Sequence, residues 1–424
     1  MGSQLVPSLP RRAWIVLGGD MLSAVGSGMT LPFFVVYLTR VRGIDIRVAG
    51  LALATIAVAS FAGNVLGGSL ADRLGARRAL MAGLVLAAGG AAWFAFVHTV
   101  PAAFGAAAVI GLGASICWPA EDALLATAVG DAQRSSVFSL RHATMNAGLG
   151  VGAVIAAAIV DLGSPGSFEL LYLVDAATFL AFVPLLVALR GTGERLEPTG
   201  REETGGGYRT VLADRPFLAV WGLTALLVVV GYAQYAAALP PYATGTGGVS
   251  AHALAVAFAA NTFAVAVLQL FVLRLLAGRR RTTALVLSAA VFGCAWCVTI
   301  AAAHLGGGGT AVVGFAGAMV VLALAETLLS PALSPIVNDL APERLRGRYN
   351  GTFVLAWTTG FAVGPALAGA GLGLGDGTAF FALLAVGCGA AALGALGLRR
   401  LLPAHVDLVG PARLETPALQ PEAV

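Results

Sequence analysis

Gly68-Ser69-Leu70-Ala71-Asp72-Arg73-Leu74-Gly75-Ala76-Arg77-Arg78 is a short polar turn wedged between two apolar runs, Val48–Leu70 and Ala79–Val97. At about 1.5 Å per residue each run is long enough to span roughly 30 Å of hydrocarbon as a helix. Gly75 permits the tight turn that ends one helix and starts the next within a few residues. Gly68 omits a side chain where a neighbouring helix can pack closely. Asp72 sits at the C-terminal end of its helix, where the macrodipole disfavours an anion by about 0.3–1 kcal/mol. It therefore calls for a partner, which Arg73, Arg77 or the N-terminus of another helix can supply. The simpler reading of the same residues is a basic turn with a glycine cap.

Working outward, ten more apolar stretches follow the same plan. The twelve lie near Ala13–Leu38, Val48–Leu70, Ala79–Val97, Ala102–Ala126, Val137–Val160, Phe168–Leu189, Phe217–Leu239, Ala251–Leu276, Thr282–Ala303, Thr310–Val337, Asn350–Leu372 and Thr378–Leu398. Of 424 residues, 58% are hydrophobic and 11% charged, against roughly 25% charged in a soluble domain. The predicted fold class is an all-α membrane protein with twelve transmembrane helices in two six-helix bundles. The predicted organisation is a first half at 1–189, a flexible polar linker at 190–216, a second half at 217–398 and a tail at 399–424. Every basic residue is arginine, so a Walker-type phosphate loop and a Schiff-base lysine are both excluded. The net charge of +4 is spread over short loops, which speaks for membrane orientation and against nucleic-acid binding. Arginines crowd the termini, the linker and every second loop, so both termini are expected in the cytoplasm. Arg40, Arg42 and Arg47 are the exception. Cys294 and Cys297 form a CxxC inside a predicted span and read as small buried hydrophobes. No cofactor and no metal cluster are expected.

The halves echo each other at an offset of 212 residues: Pro119-Ala120 matches Pro331-Ala332, Arg134 matches Arg346, and Gly148 and Gly152 match Gly360 and Gly364. The loop at 68–78 resembles the signature G-x-L-a-D-r-x-G-r-[RK]-[RK] of the major facilitator superfamily. The match departs from that pattern only at Ala76, and the twelve runs and mid-chain linker extend the resemblance over the whole chain. The resemblance implies a secondary transporter of major facilitator fold, not an enzyme, in a bacterial inner membrane and functional as a monomer. It makes Gly68, Asp72, Arg73, Gly75, Arg77 and Arg78 a cytoplasmic gate, with Asp122 as a further member. It also brings up the antiporter pattern G-x-x-x-G-P-x-x-G-G. The fifth span has Gly148 and Gly152 but Ala153 in place of the proline, whereas the eleventh carries Gly360, Gly364 and Pro365. Helix packing through small residues explains the same pattern. The family's buried arginine of the fourth span is missing near Ala107.

An ionisable residue inside a span costs about 2.5–3.5 kcal/mol at a helix centre and is a functional candidate by default. Asp20, Glu326, Arg141 and Glu121 are the transport and proton-coupling candidates, with polar packing contacts or snorkelling as the bland alternatives. Glu121 and Asp122 are adjacent and about 100° apart on a helix, so only one is expected to face a given group. Arg141 can pair with Asp20, Glu121 or Asp122; His142 and Asp175 are weaker candidates. The expected function is proton-coupled export of small amphipathic or drug-like molecules, with protons or another coupling ion as the partner. Uptake or facilitated diffusion of a sugar or organic acid is the alternative, and a membrane enzyme or sensor is the remote one.

Overall fold

In hydrocarbon the backbone must satisfy its own polar groups, and a helix does so within one segment. The computed structural model describes residues 9–129, 133–189, 208–276, 278–305, 308–342 and 345–408, and among these the chain is helical nearly throughout, with one isolated bridge, Arg280 to Leu408. Among the described residues twelve helices are long and apolar enough to cross a membrane. They are α1 (Arg11–Val41), α2 (Ile46–Leu74), α3 (Ala76–Ala95), α4 (Val100–Ala128), α5 (Arg134–Ile159), α6 (Pro165–Ala188), α7 (Arg215–Ala237), α8 (Ala251–Leu276), α9 (Arg281–Ala303), α10 (Gly308–Leu340), α11 (Arg346–Leu372) and α12 (Thr378–Leu398).

The packing repeats with a step of six helices. In the first half α1 packs on α5 and α6, α2 on α4, and α3 on α4 and α6. In the second half α7 packs on α11 and α12, α8 on α10, and α9 on α10 and α12. Two six-helix bundles result. They meet chiefly where α2 crosses α11 and α5 crosses α8.

The bundles are joined at one end and separate at the other. Around the loops near Gly43 and Gly377 a single apolar core runs through both halves, with Tyr37, Phe94 and Phe168 from one and Tyr242, Trp296 and Phe381 from the other. At the end where α1 begins and α12 stops, each half has its own core: Leu80, Leu124 and Phe182 in the first, Phe217, Leu333 and Tyr349 in the second. We call these the joined end and the split end. A molecule held together at one end only has room for a cavity between its halves.

Several elements differ from the sequence expectation. The first span is broken: α1 passes through a 3₁₀ turn at Leu31–Phe33 and a π-turn at Tyr37–Val41. Pro32 causes the first break, since it lacks an N–H and clashes with the preceding turn. The seventh span carries a π-turn at Val228–Tyr232 and is followed by a short helix, Leu239–Gly245, containing Pro240 and Pro241. The linker expected at 190–216 is partly ordered. Residues 208–213 form a helix with Val211 fully buried, and Asp214 accepts the Phe217 N–H (3.1 Å) at the start of α7 and the Tyr349 hydroxyl (2.7 Å). The part at 190–207 lies outside the described residues. The tail expected from 399 also folds back. Asp407 accepts the Thr282 backbone N–H (2.8 Å) and hydroxyl (2.9 Å), closing the first turn of α9, while 409–424 lie outside the described residues.

Candidate functional site

A cavity of 390 Å³ lies between the halves, walled by α1, α2 and α5 on one side and α7, α8, α10 and α11 on the other. Its wall is largely apolar, and its second-half side is aromatic. Tyr232 meets Trp357 and Phe361 edge-on, at 5.6 and 5.9 Å between ring centres, and Tyr235 tilts onto Phe258 at 4.5 Å. Glu326 of α10 is the acid in this wall. Asn261 lies beside its carboxyl and donates its own amide hydrogen to the Met319 carbonyl (3.0 Å), which fixes the side chain. The Tyr232 and Tyr235 phenols also lie within electrostatic reach of Glu326.

The breaks in α1 and α7 place residues in this wall. Leu31 and Pro32 enter it from the 3₁₀ turn of α1, and Tyr232 from the π-turn of α7. Glycines then bring helices together behind it. A Cβ on Gly148 or Gly152 would collide with the α1 backbone at Met21 and Val25, and one on Gly360 or Gly364 with Val228 and Ala233 of α7. The repeated glycines of the sequence therefore do the same work in both halves. Pro365 lines the cavity, and its carbonyl faces Gly50 where α2 crosses α11.

Asp20, Glu121 and Arg141 come together, but away from the cavity wall, within the first half toward the split end. Arg141 is buried, at 6% exposure, as are Glu121 and Asp20 at 4% and 8%. Its Nη2 binds Glu121, its Nη1 binds Asp122 at 2.5 Å, and its Nε faces Asp20 at 3.5 Å. The guanidinium also lies 4.6 Å from the centre of the Trp118 ring. This corrects the expectation that adjacent acids cannot serve one group. A planar guanidinium is a fork with donors on several edges, and it reaches both carboxylates from between them. Asp122 thus has Arg141 as a partner, one of the pairings the sequence offered.

In that loop, Gly75 turns the chain with φ +88°, a left-handed value that suits glycine. Arg77 Nη1 donates to the Leu189 carbonyl (3.0 Å) at the end of α6, a favourable place for a cation. Gly68 does not serve as predicted, because a Cβ there would meet open space; the close approach is one residue earlier, where Gly67 faces Ile116 and Pro119 of α4. Arg73 and Arg78 are exposed. The side chains of Asp72, Arg134 and Arg346 lie outside those described.

Sequence reasoning missed the aromatic wall and Asn261. The signal was present as Gly231-Tyr232-Ala233-Gln234-Tyr235, a polar-edged aromatic pair inside an apolar run. Nothing in the sequence said which span faces the cavity.

The Major Facilitator Superfamily model matches residues 16–321 and 222–421. The chain is 26% identical over 368 residues to the MFS-type transporter YttB of Bacillus subtilis, covering 85% of this chain and 88% of that protein. It is 24% identical over 380 residues to a Na(+), Li(+), K(+)/H(+) antiporter of Planococcus maritimus, covering 82% and 87%. It is 27% identical over 220 residues to the multidrug resistance protein MdtH of Aeromonas hydrophila, about half of each chain (52% and 52%). Among solved structures, the nucleoside transporter NupG (D323A mutant) superposes with a TM-score of 0.78 at 14% identity, covering 92% of this chain and 100% of that one, which speaks for the fold alone. With twelve spanning helices in two repeated bundles around a central cavity, the chain belongs to the Major Facilitator Superfamily, a family of membrane transporters and not of enzymes.

Proposed function

We propose that this chain exports small amphipathic, cationic or drug-like molecules in exchange for protons, by alternating access. The observation that carries the reading is Glu326, a carboxyl in the wall of a largely apolar and aromatic cavity between the halves. A carboxylate in such surroundings requires either a proton or a cation beside it. The neighbouring rings add cation–π attraction for an organic cation. Substrate and proton then compete for one group, which is the requirement for exchange. The relatives named an antiporter and a multidrug resistance protein support the same reading. An anionic substrate fits less well, because buried Arg141 is committed to three acids away from the cavity.

The arginine-rich split end is the cytoplasmic end in this reading, so the cavity takes up substrate from inside the cell and the membrane is the inner one. Asp20, Glu121 and Arg141 form a second proton-coupling group. The turn from Gly68 to Arg78 forms a gate at the split end, and the protein works as a monomer. A proton moving through about 100 mV gains roughly 2.3 kcal/mol, enough for a gradient of about fifty-fold in a neutral substrate; a monovalent cation exchanged one for one moves no net charge, so the pH difference alone drives it.

In proteoliposomes with an imposed pH gradient, Glu326→Gln should abolish accumulation of a lipophilic cation and Asp20→Asn should impair it. Accumulation unchanged in both variants would remove proton-coupled export through these acids. For the gate, Asp72→Asn should shift spin-label distances between the two bundles at the split end; an unaltered distribution would exclude it.

A further inference from the structure

Asp175 of α6 is buried at 6% exposure, and it lies outside both the cavity wall and the Arg141 cluster. Its Oδ2 accepts the Thr30 hydroxyl of α1 at 2.9 Å, and its Oδ1 has no hydrogen-bond partner. Two more buried polar atoms nearby are also without partners: the Ser23 hydroxyl, two turns before Thr30 on α1, and the Tyr172 hydroxyl, one turn from Asp175 on α6. The approach of the helices is deliberate. A Cβ on Gly26 would collide with the Thr178 hydroxyl and lie 2.5 Å from Asp175 Oδ1. A carboxyl oxygen left unpaired inside a membrane bundle is costly unless something positive reaches it.

The place matters as much as the atom. Thr30 is the last residue of the regular part of α1, immediately before the 3₁₀ turn whose Leu31 and Pro32 enter the cavity wall. Interrupted spanning helices are common carriers of coupling ions, because the break exposes polar groups and permits movement.

We propose that Asp175 is a proton-binding site of the transport cycle, linked to the cavity through Thr30 and the break in α1. With the proton off, the carboxylate holds the Thr30 hydroxyl and the end of α1. With the proton on, the carboxyl becomes a donor, the hold on Thr30 weakens, and the Leu31–Phe33 turn is released to move against the substrate. The proton comes from water and returns to water, so no other reactant is consumed. A proton needs only the one free carboxyl oxygen, whereas a hard cation such as Ca²⁺ takes about 6–8 oxygens, more than Asp175 and the Thr30, Ser23 and Tyr172 hydroxyls supply.

The titratable groups on the packed elements are few. On α6 they are Tyr172 and, within two turns, Glu169, which pairs with Arg42; on α1 they are Asp20, toward the split end, Tyr37, its ring tilted at 5.2 Å from that of Tyr172, and Arg40 beyond it. From α3 come Arg77 and Arg78 at its split-end terminus, and from α5 Arg141 and His142. Asp175 takes part in no ion pair among the described residues.

The inference rests on proton-coupled transport but is tested apart from it. Proton uptake by the purified full chain in detergent is measured on a pH step, with the protonated-carboxyl infrared band followed in parallel. A spin-label pair reports the distance from the outer part of α1 to α6. Asp175→Asn, which keeps an acceptor for Thr30, should lose about one proton of uptake per chain and make the α1 distance independent of pH. Thr30→Val should keep the proton and lose the movement. Asp175→Glu should restore uptake. Uptake and infrared band unchanged in Asp175→Asn, or an α1 distance that follows sodium and ignores pH, would overturn the assignment. Glu326→Gln measured alongside separates the cases, since its loss of uptake sustains proton coupling even where Asp175 fails.

Discussion

Replacing Arg141 with methionine removes the one cation among three carboxyls while keeping most of the apolar volume. Arg141, Glu121 and Asp20 are all less than one-tenth exposed, while the Asp122 side chain is half exposed and can turn to water. Breaking a buried ion pair by removing one partner costs about 3–5 kcal/mol, because the other charge stays behind. Here two buried acids are left, so Arg141→Met should fall at or above the top of that range. Glu121→Gln is the opposite case. It removes a charge from a group with more anions than cations, and its amide oxygen still accepts from Nη2. It should therefore cost less than about 1 kcal/mol. The triple variant Arg141→Met, Glu121→Gln, Asp20→Asn should recover about half of the single-variant loss, since neutral groups replace stranded charges. The assay is equilibrium unfolding in mixed micelles, read by tryptophan fluorescence, with the three variants and the parent in one cycle. Arg141→Met within about 1 kcal/mol of the parent would refute the argument, as would Glu121→Gln costing as much as Arg141→Met.

Other positions give equally direct outcomes. Gly152→Leu drives a side chain into the α1 backbone at Val25 and Gly28 and should cost about 1–3 kcal/mol or more in the same assay, whereas Gly68→Ala, facing open space, should be near neutral. Asp407→Ala removes both bonds to Thr282, and limited proteolysis should then cut the segment after Leu398 at least several-fold faster, consistent with a loss of about 1–3 kcal/mol. Arg47→Gln weakens the cross-bundle bond to the Gly373 carbonyl (3.0 Å), a cation at a helix C-terminus. Spin-label distances between α2 and α11 at the joined end should then shift toward the open form by about two- to five-fold in population, from about 0.3–1 kcal/mol. An unchanged distribution would remove Arg47 from the closure.

The twelve spans were legible because length and apolar composition decide them. Runs such as Ala251–Leu276 and Thr378–Leu398 appear as helices with the same ends in sequence and structure. The breaks in α1 and α7 were not legible from periodicity, because apolar runs look alike whether a helix is regular or wound differently. The first span was read straight through Pro32, where one break falls, and only the packing around Tyr232 reveals the other. The Arg141 cluster was half legible. Its members were identifiable as costly ions within spans, yet adjacency on a helix misled, since a guanidinium reaches further around a helix than a single contact does. Asp175 was least legible. Its partner Thr30 lies 145 positions away, and only the approach permitted by Gly26 brings them together.

The arginines that break the charge rule illustrate how far a counting argument extends. Arg40, Arg42 and Arg47 lie at the end that should be poor in cations. Arg42 is neutralised locally: it pairs with Glu169 at 2.7 Å, donates to the Ala95 carbonyl at 2.9 Å, and holds the Tyr37 hydroxyl at 2.7 Å. Arg47 donates to the last turn of α11, and the Arg40 guanidinium packs against Gly245 at the end of the helix that follows α7. Two of the three thus face helix C-termini of the opposite bundle, where carbonyls lack intrahelical partners and the macrodipole is negative. A cation employed in that way is fixed by the closure of the joined end, so it carries little weight in deciding which side of the membrane its loop occupies. The arginines of the split end then stand as the topological signal, and the exception becomes part of how the two bundles are held together.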